Sequence, residues 1–167
     1  VAAGQAADAG TDAAAGEGSD DRVMLHKPEW WGSDHWSTPP GTIAALEAEF
    51  GRFDLDPCCR VETAKAPKFF TELQNGLLHP WHGHVFLNPP YSKPGPWLEK
   101  SICETVSGRA HLIIALLPVR TDTRWFHRFV KGVAEIRFIQ GRIKWIGWQG
   151  TPIPAPKDPS MFAIYRR

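Results

Sequence analysis

The sequence has few cysteines and no long apolar run, and these absences restrict what the protein can be. Its longest apolar segment reaches only from Leu112 to Val119, far short of the roughly 20 residues that cross a bilayer. Cys58, Cys59 and Cys103 are odd in number and include no Cys-x-x-Cys spacing, which argues against a disulfide framework and a structural zinc site. No basic start followed by an apolar segment marks a signal peptide. We therefore expect a reduced cytoplasmic protein without membrane association.

The first residues of the chain also lack Lys and Arg altogether. Residues 1–21 consist almost entirely of Ala, Gly, Asp, Glu and Ser, a composition that buries too little apolar surface to fold. We predict that this stretch is a disordered tail without a catalytic role, and that residues 22–167 form a single domain. Because the chain begins at Val1 rather than Met, a fragment of a longer protein and a processed product are both open.

Acidic residues are scarce in the C-terminal part of the chain. Residues 109–167 carry 11 Lys or Arg against 3 Asp or Glu, whereas residues 1–108 carry 8 against 15. Within the basic part, Arg124, Arg128 and Lys131 recur at helical spacing and form a stripe. The asymmetry favours a surface that binds a polyanion, although charges that merely face solvent would give the same counts.

The stretch that organises the chain is residues 84–92, which read HVFLNPPYS. Three apolar residues precede Asn88 and fit a strand buried on both faces, and the two prolines end it. Asn88 and Tyr91 therefore follow the end of an interior strand, where α/β proteins bind their ligands. The Asn88 side chain and the Pro89 carbonyl offer two acceptors for an exocyclic amine, and Tyr91 offers a ring for stacking a flat base.

This arrangement suits methyl transfer to an aromatic amine. The lone pair of adenine N6 is delocalised into the ring and makes a poor nucleophile. Two acceptors bonded to its hydrogens would draw the nitrogen toward tetrahedral geometry and aim the lone pair at a methyl donor. A rigid surface turn is the alternative interpretation of the same four residues, Asn88–Tyr91.

Several motifs in a fixed order resemble one enzyme family. They are similar to motifs X, I and IV of the S-adenosylmethionine-dependent amino-methyltransferases, and over about residues 34–165 the chain resembles the phage Dam-like DNA N6-adenine methyltransferases. Residues 117–127 and 137–142 fit that branch as well. The resemblance implies an α/β fold, a Rossmann-like class I methyltransferase with three α/β/α layers and a mostly parallel sheet. The motifs are Trp36 with Thr38–Pro40, residues 54–58 (DLDPC) and residues 88–91 (NPPY).

The resemblance also implies a role for individual residues. The catalytic residues would be Asn88, Pro89, Pro90 and Tyr91. The cofactor, S-adenosyl-L-methionine, would be held by Trp36, Thr38, Pro39, Asp56, Pro57, Cys58, Glu72 and Asn75. DNA would be the polyanion, contacted by Arg120, Arg124, Arg128, Arg142 and Lys144. The reaction would take place in the cytoplasm of a bacterium or a phage-infected host, and it needs no metal, so we do not interpret His79, His82 and His84 as ligands.

Motif I departs from the family pattern. Methyltransferases usually continue it with a Gly-x-Gly turn, whereas residues 58–60, Cys-Cys-Arg, follow Asp56-Pro57 here. We expect the small first cysteine, with Thr38 and Pro39, to hold the cofactor instead. Asp56 ends a strand and is placed to accept hydrogen bonds from a ligand, but a turn-forming Asp-Pro is the alternative.

Local patterns predict the remaining helices. A helix capped by Thr38 should end before Gly51, a second should span residues 96–106, and a third should be capped by Thr121 or Asp122.

The predicted strands form a mostly parallel sheet with an antiparallel C-terminal hairpin. Residues 134–139 and 142–148 should pair about Gln140-Gly141, and the proline-rich residues 147–159 should form a loop. Only 31 residues separate Asp56 from Asn88, which leaves no room there for a separate target-recognition domain. The other strands are predicted at residues 53–58, 68–71, 85–87, 111–119 and 160–165.

The sequence leaves two kinds of alternative open. The same tetrapeptide suits methylation of a protein glutamine or an RNA base, and the missing glycines are compatible with a catalytically inactive DNA-binding module. Neither the target sequence nor the oligomeric state follows from the residues.

Overall fold

The fold of the protein is known from a computed structural model, which describes residues 33–153 and 156–167. The predicted tail of residues 1–21 lies outside the described residues. A six-stranded sheet is flanked by three α-helices. The helices are α1 (Pro40–Phe50), α2 (Gly95–Val106) and α3 (Arg124–Phe129). The strands are β1 (Leu55–Cys59), β2 (Lys68–Thr71), β3 (Gly83–Leu87), β4 (Ala110–Pro118), β5 (Glu135–Phe138) and β6 (Ser160–Arg166).

The order of the strands confirms a Rossmann-like sheet. It runs β2-β1-β3-β4-β6-β5. Strands β1 to β4 are mutually parallel, while β6 is antiparallel to both β4 and β5. After β1 the chain moves outward to β2, and then returns to the other side of β1 to form β3. The carboxyl ends of β1 and β3 therefore flank a switch point, the place where open α/β sheets bind ligands.

Side chains alternate between the two faces of the sheet and build one apolar layer on each. In β4, Ile113, Ala115 and Leu117 pack toward α2 and α3, and the intervening Ile114 and Leu116 pack toward the opposite face. On that opposite face, Ile43 and Leu46 of α1 and Ile143 and Trp145 of residues 139–146 complete the core. The predicted three-layer arrangement is confirmed.

Proline and glycine set the helix boundaries. Pro40 occupies the first turn of α1, where its missing N–H is not needed. Gly51 ends α1 with a φ of 86°, a conformation that other residues rarely adopt. The prediction that Thr38 caps this helix is wrong, because Pro39 holds the cap position and no side chain bonds there. Similarly, Thr123 rather than Thr121 or Asp122 holds the cap position of α3.

An antiparallel pair does lie at the C-terminal edge, but its partners differ from the prediction. β5 pairs with β6, and residues 142–148 do not form a strand against β5. Instead, Ile146 makes isolated bridges to Ser37 and Pro152. The alternation is real over residues 142–145, because Ile143 and Trp145 are buried whereas Arg142 and Lys144 are exposed. Ile143 and Trp145 cover the face of the sheet on the α1 side, and their segment does not extend the sheet's edge.

Within the described part of the chain, no helix is long and apolar enough to cross a bilayer.

Candidate active site

A pocket of about 600 Å³ opens at the carboxyl ends of β1 and β3, a volume typical of small-molecule sites. The structure brings nine of the twelve residues predicted for catalysis and cofactor binding into its lining. The other three, Pro39, Pro89 and Tyr91, do not line it. The nine are Trp36, Thr38, Asp56, Pro57, Cys58, Glu72, Asn75, Asn88 and Pro90.

The Asn88 amide has its nitrogen hydrogen-bonded and its oxygen unpaired in the described structure. Its Nδ2 donates to the carbonyl oxygen of Trp36 at 3.4 Å. Its Oδ1 is buried and has no hydrogen-bond partner among the described residues. A buried acceptor left unbonded costs free energy, about 1–3 kcal/mol, so this oxygen is a place where a donor from a ligand would be stabilised.

Tyr91 lies against Trp145 on the α1 side of the sheet. The two rings make a T-shaped contact with centroids 6.0 Å apart. The Tyr91 hydroxyl and Trp145 Nε1 are both buried without partners in the described structure. Burial raises the pKa of the Tyr91 hydroxyl, and Asp34 also raises it while Arg120 opposes the change. Tyr91 is therefore a neutral phenol.

Asp34 anchors the loop that carries Tyr91, a role that no local sequence pattern indicates. One carboxylate oxygen accepts from the backbone N–H of Tyr91 at 2.8 Å and of Ser92 at 3.3 Å. The other accepts from Ser92 Oγ at 2.6 Å. These bonds hold the segment before α1 to the loop that follows β3.

Asp56 ties down the chain where it leaves β1. The side chain is buried and accepts from the backbone N–H of Cys58 at 3.3 Å and of Lys65 at 3.1 Å. The bond to Cys58 is the turn-forming contact of the alternative interpretation, but Asp56 lines the pocket as well. Burial raises its pKa from 3.8 to about 6, against the lowering effect of these backbone bonds.

A glycine outside motif I provides close backbone packing at the pocket. β1 runs on through Cys59 where a Gly-x-Gly turn would be expected. Gly76 packs against this strand so closely that a Cβ there would overlap the carbonyl oxygen of Pro57. The carbonyl of Gly76 accepts from Trp81 Nε1 at 2.9 Å, which fixes the turn. Glu72 and Asn75, which precede Gly76 in the chain, line the pocket.

Lys65 is a second residue that sequence reasoning missed. Its ammonium donates to Ser37 Oγ at 3.0 Å, and both residues line the pocket. Burial lowers its pKa, an effect that Asp56 and Cys59 oppose. The residue lies 9 positions after Asp56 in an irregular stretch, where no local pattern signals a binding site.

The five basic residues predicted to bind DNA lie on two sides of the sheet. Arg124 and Arg128 belong to α3, while Arg142 and Lys144 are exposed on residues 139–146, which cover the opposite face. Arg120 lies between them, bonded to Asp158 at 2.7 Å and to the Tyr91 carbonyl at 3.4 Å. The structure therefore joins only Arg120 directly to the Asn-Pro-Pro-Tyr loop.

His79 has structural contacts. The ring of His79 stacks on Phe70 at 4.3 Å, and its Nε2 lies 3.1 Å from the Gln74 carbonyl oxygen. Across residues 33–153 and 156–167, no three His, Cys, Asp or Glu side chains are grouped closely enough to hold a metal ion.

Comparisons with known proteins agree with the geometry. The family model described as DNA N-6-adenine-methyltransferase (Dam) matches residues 28–167. The DNA N-6-adenine-methyltransferase of Haemophilus phage HP1 is 32% identical over 136 residues, which cover 79% of this chain and 78% of that protein. The protein of the same name from Escherichia phage T1 is 38% identical over 109 residues, 64% of this chain. The match spans only 45% of the T1 protein's own length.

Proposed function

Because the chain belongs to the Dam family of DNA N-6-adenine-methyltransferases, we propose that it transfers a methyl group to the N6 amine of adenine in DNA. The methyl donor is S-adenosylmethionine. The predicted family and Rossmann-like fold, both confirmed, support this proposal, and the arrangement of Asn88 carries it.

The decisive observation is the open acceptor of Asn88. The Trp36 carbonyl accepts from the amide nitrogen, and Oδ1 is left without a partner in the described structure, which supports a role in accepting from the substrate amine. Asn88 Oδ1 and the Pro89 carbonyl accept the two N6 hydrogens. They stabilise the nitrogen as it becomes tetrahedral and gains positive charge, which is when such preorganised acceptors act most strongly.

The residues around the pocket fit the cofactor. The pocket is of suitable size, and the buried Thr38 Oγ1 has no partner among the described residues, so a ligand atom there would satisfy it. Asp56 would accept from the cofactor's ammonium, and Glu72 and Asn75 would hold its ribose and adenine. Cys58 also lines the pocket. The cofactor supplies an electrophilic methyl group on sulfur. No covalent enzyme intermediate is needed.

DNA binds with its target adenine turned out of the helix, since N6 is inaccessible inside a duplex. Tyr91 contacts that base, and Arg120 holds the Tyr91 carbonyl in place while facing phosphate. Arg142 and Lys144 extend the basic surface on one side, and α3 extends it on the other. DNA and the methyl donor are both present inside the cell, so we place the reaction in the cytoplasm of a bacterium or phage-infected host.

Tritiated methyl transfer tests the proposal. Adenine-containing duplexes should become labelled, and digestion should return the label as N6-methyladenine, whereas RNA and protein substrates should not be labelled. Asn88→Ala removes an acceptor needed in the transition state, so the rate should fall by at least about 100-fold. Asn88→Asp keeps an acceptor at the same place and should retain more activity.

Two control measurements define how the result is interpreted. Asn88→Ala loses only a 3.4 Å bond to Trp36, so its melting temperature and its affinity for S-adenosylhomocysteine should stay close to those of the wild type. Wild-type labelling of RNA or protein in preference to DNA would replace the proposed substrate. Wild-type rates from Asn88→Ala would return residues 88–91 to the surface-turn interpretation.

A further inference from the structure

The proposed cofactor ends in an amino acid whose carboxylate needs a partner. Asp56 accounts for the ammonium group of that end. None of the eight residues predicted to hold the cofactor is positively charged, and two of them, Asp56 and Glu72, are acidic. A carboxylate placed in this pocket without a cation would lose hydration and meet like charges, which is costly.

Lys65 supplies a positive charge at a fixed place in the pocket. Its backbone N–H is bonded to Asp56 and its ammonium to Ser37 Oγ, so the side chain spans from the end of β1 to the segment before α1. We infer that Lys65 binds the carboxylate of the cofactor's amino-acid end. This assignment rests on the proposed function and adds a residue to it.

The position of Lys65 relative to Asn88 supports the inference. In S-adenosylmethionine the amino-acid end is joined to the sulfur that carries the methyl group, so it must lie near the catalytic acceptor. Ser37, the partner of Lys65, directly follows Trp36, the partner of Asn88. Glu72 and Asn75, proposed for the ribose and adenine, follow β2 and line the same pocket.

The electrostatics of Lys65 point the same way. The ammonium is partly removed from water, which lowers its pKa. A ligand carboxylate beside it would compensate for the lost hydration. Arg60 and Lys93 also line the pocket. Lys93 is exposed on the loop after residues 88–91, and the experiment below tests it as a rival partner for the carboxylate.

Binding measured with two ligands tests the assignment independently of catalysis. S-adenosylhomocysteine carries the amino-acid end, whereas 5′-methylthioadenosine keeps the adenosine and sulfur but lacks it. Calorimetric titration of Lys65→Met should show affinity for S-adenosylhomocysteine reduced roughly tenfold or more, the scale of a lost charged hydrogen bond. Affinity for methylthioadenosine should change less than about twofold, and Lys65→Arg should recover part of the loss.

Controls separate this inference from the proposed function. Lys68→Met removes an exposed lysine on β2 that does not line the pocket and should change neither affinity. Three results would overturn the role of Lys65 while leaving the proposed function in place. Lys65→Met could lose affinity equally for both ligands, or lose no affinity, or the selective loss could appear in Lys93→Met and not in Lys65→Met. A wild-type protein that binds neither ligand would overturn the proposed function, and this inference with it.

Discussion

The two tyrosines of the chain give a matched pair for testing the structure of the site. Both hydroxyls are buried, but Tyr165 donates to the Phe129 carbonyl at 2.9 Å, whereas the Tyr91 hydroxyl has no partner in the described structure. Removing a satisfied hydroxyl loses a hydrogen bond, about 1 kcal/mol net, while removing an unsatisfied one relieves a desolvation cost of about 1–3 kcal/mol. Phenylalanine at the two positions should therefore shift stability in opposite directions.

Urea unfolding of the two variants measures this difference. Tyr165→Phe should lose about 1 kcal/mol and Tyr91→Phe should gain at least about 1 kcal/mol, equivalent to roughly 2–4 °C in Tm for a chain of this size. Tyr91→Phe should also keep its methyl transfer activity, because the ring remains available for the base. Tyr91→Ala should lose about 1–3 kcal/mol of stacking. A loss of stability in Tyr91→Phe equal to that of Tyr165→Phe would refute the unsatisfied hydroxyl.

Three further outcomes follow from the same contacts. Asp34→Ala removes three accepted bonds and should slow methyl transfer more than it weakens S-adenosylhomocysteine binding, as single-turnover rates and titrations would show. Burial raises the pKa of Asp56 from 3.8 to about 6. The stabilisation of the fold by protonated Asp56 is therefore complete below pH 3.8 and is lost as the pH rises through 6. Asp56→Asn should remove this pH dependence from the urea unfolding midpoints between about pH 4 and 7. Arg142→Ala with Lys144→Ala should weaken binding to all DNA sequences alike and reduce the salt slope by about one unit per phosphate contact, whereas an unchanged slope would make these residues merely solvated.

Local sequence was a good guide to the elements that position the pocket. Strand β2 and the end of α2 match their predicted bounds, and the other parallel strands differ by at most two residues at either end. The reason is that buried parallel strands are continuous apolar runs bounded by proline, glycine or polar residues, and this signal is contained in the strand itself. The position of Asn88 after β3 follows directly from the two prolines.

The pairing of the C-terminal strands was predicted less well from the sequence. A period of two in residues 142–146 shows that alternate side chains are buried, but it does not name the surface that buries them. Here Trp145 packs against Trp36 and Tyr91, so the segment covers the sheet's face near the site. Its neighbour β5 pairs instead with β6, which begins more than 20 residues later, a contact that no local pattern encodes.

The residues missed by sequence reasoning share a physical cause. Asp34 and Lys65 act through bonds to partners 57 and 28 positions away, and neither is apolar or part of a strand end. Their roles depend on which loops the folded sheet brings together. The same holds for Gly76, whose lack of a side chain matters only because Pro57 passes beside it.

The segment before α1 connects the two halves of the proposed reaction. Asp34 holds the loop that carries Tyr91, the Trp36 carbonyl accepts from the Asn88 amide, and Ser37 Oγ accepts from the ammonium of Lys65. The backbone of Ser37 is itself bonded in both directions to Ile146, which fixes the segment against the opposite wall. A side chain at a strand end would otherwise rotate freely, and a site whose acceptors must be correct to within about 0.5 Å needs such support. Because one short segment contacts both Asn88, the proposed amine acceptor, and Lys65, the proposed partner of the cofactor carboxylate, displacing it would disturb both their spacing and their orientation.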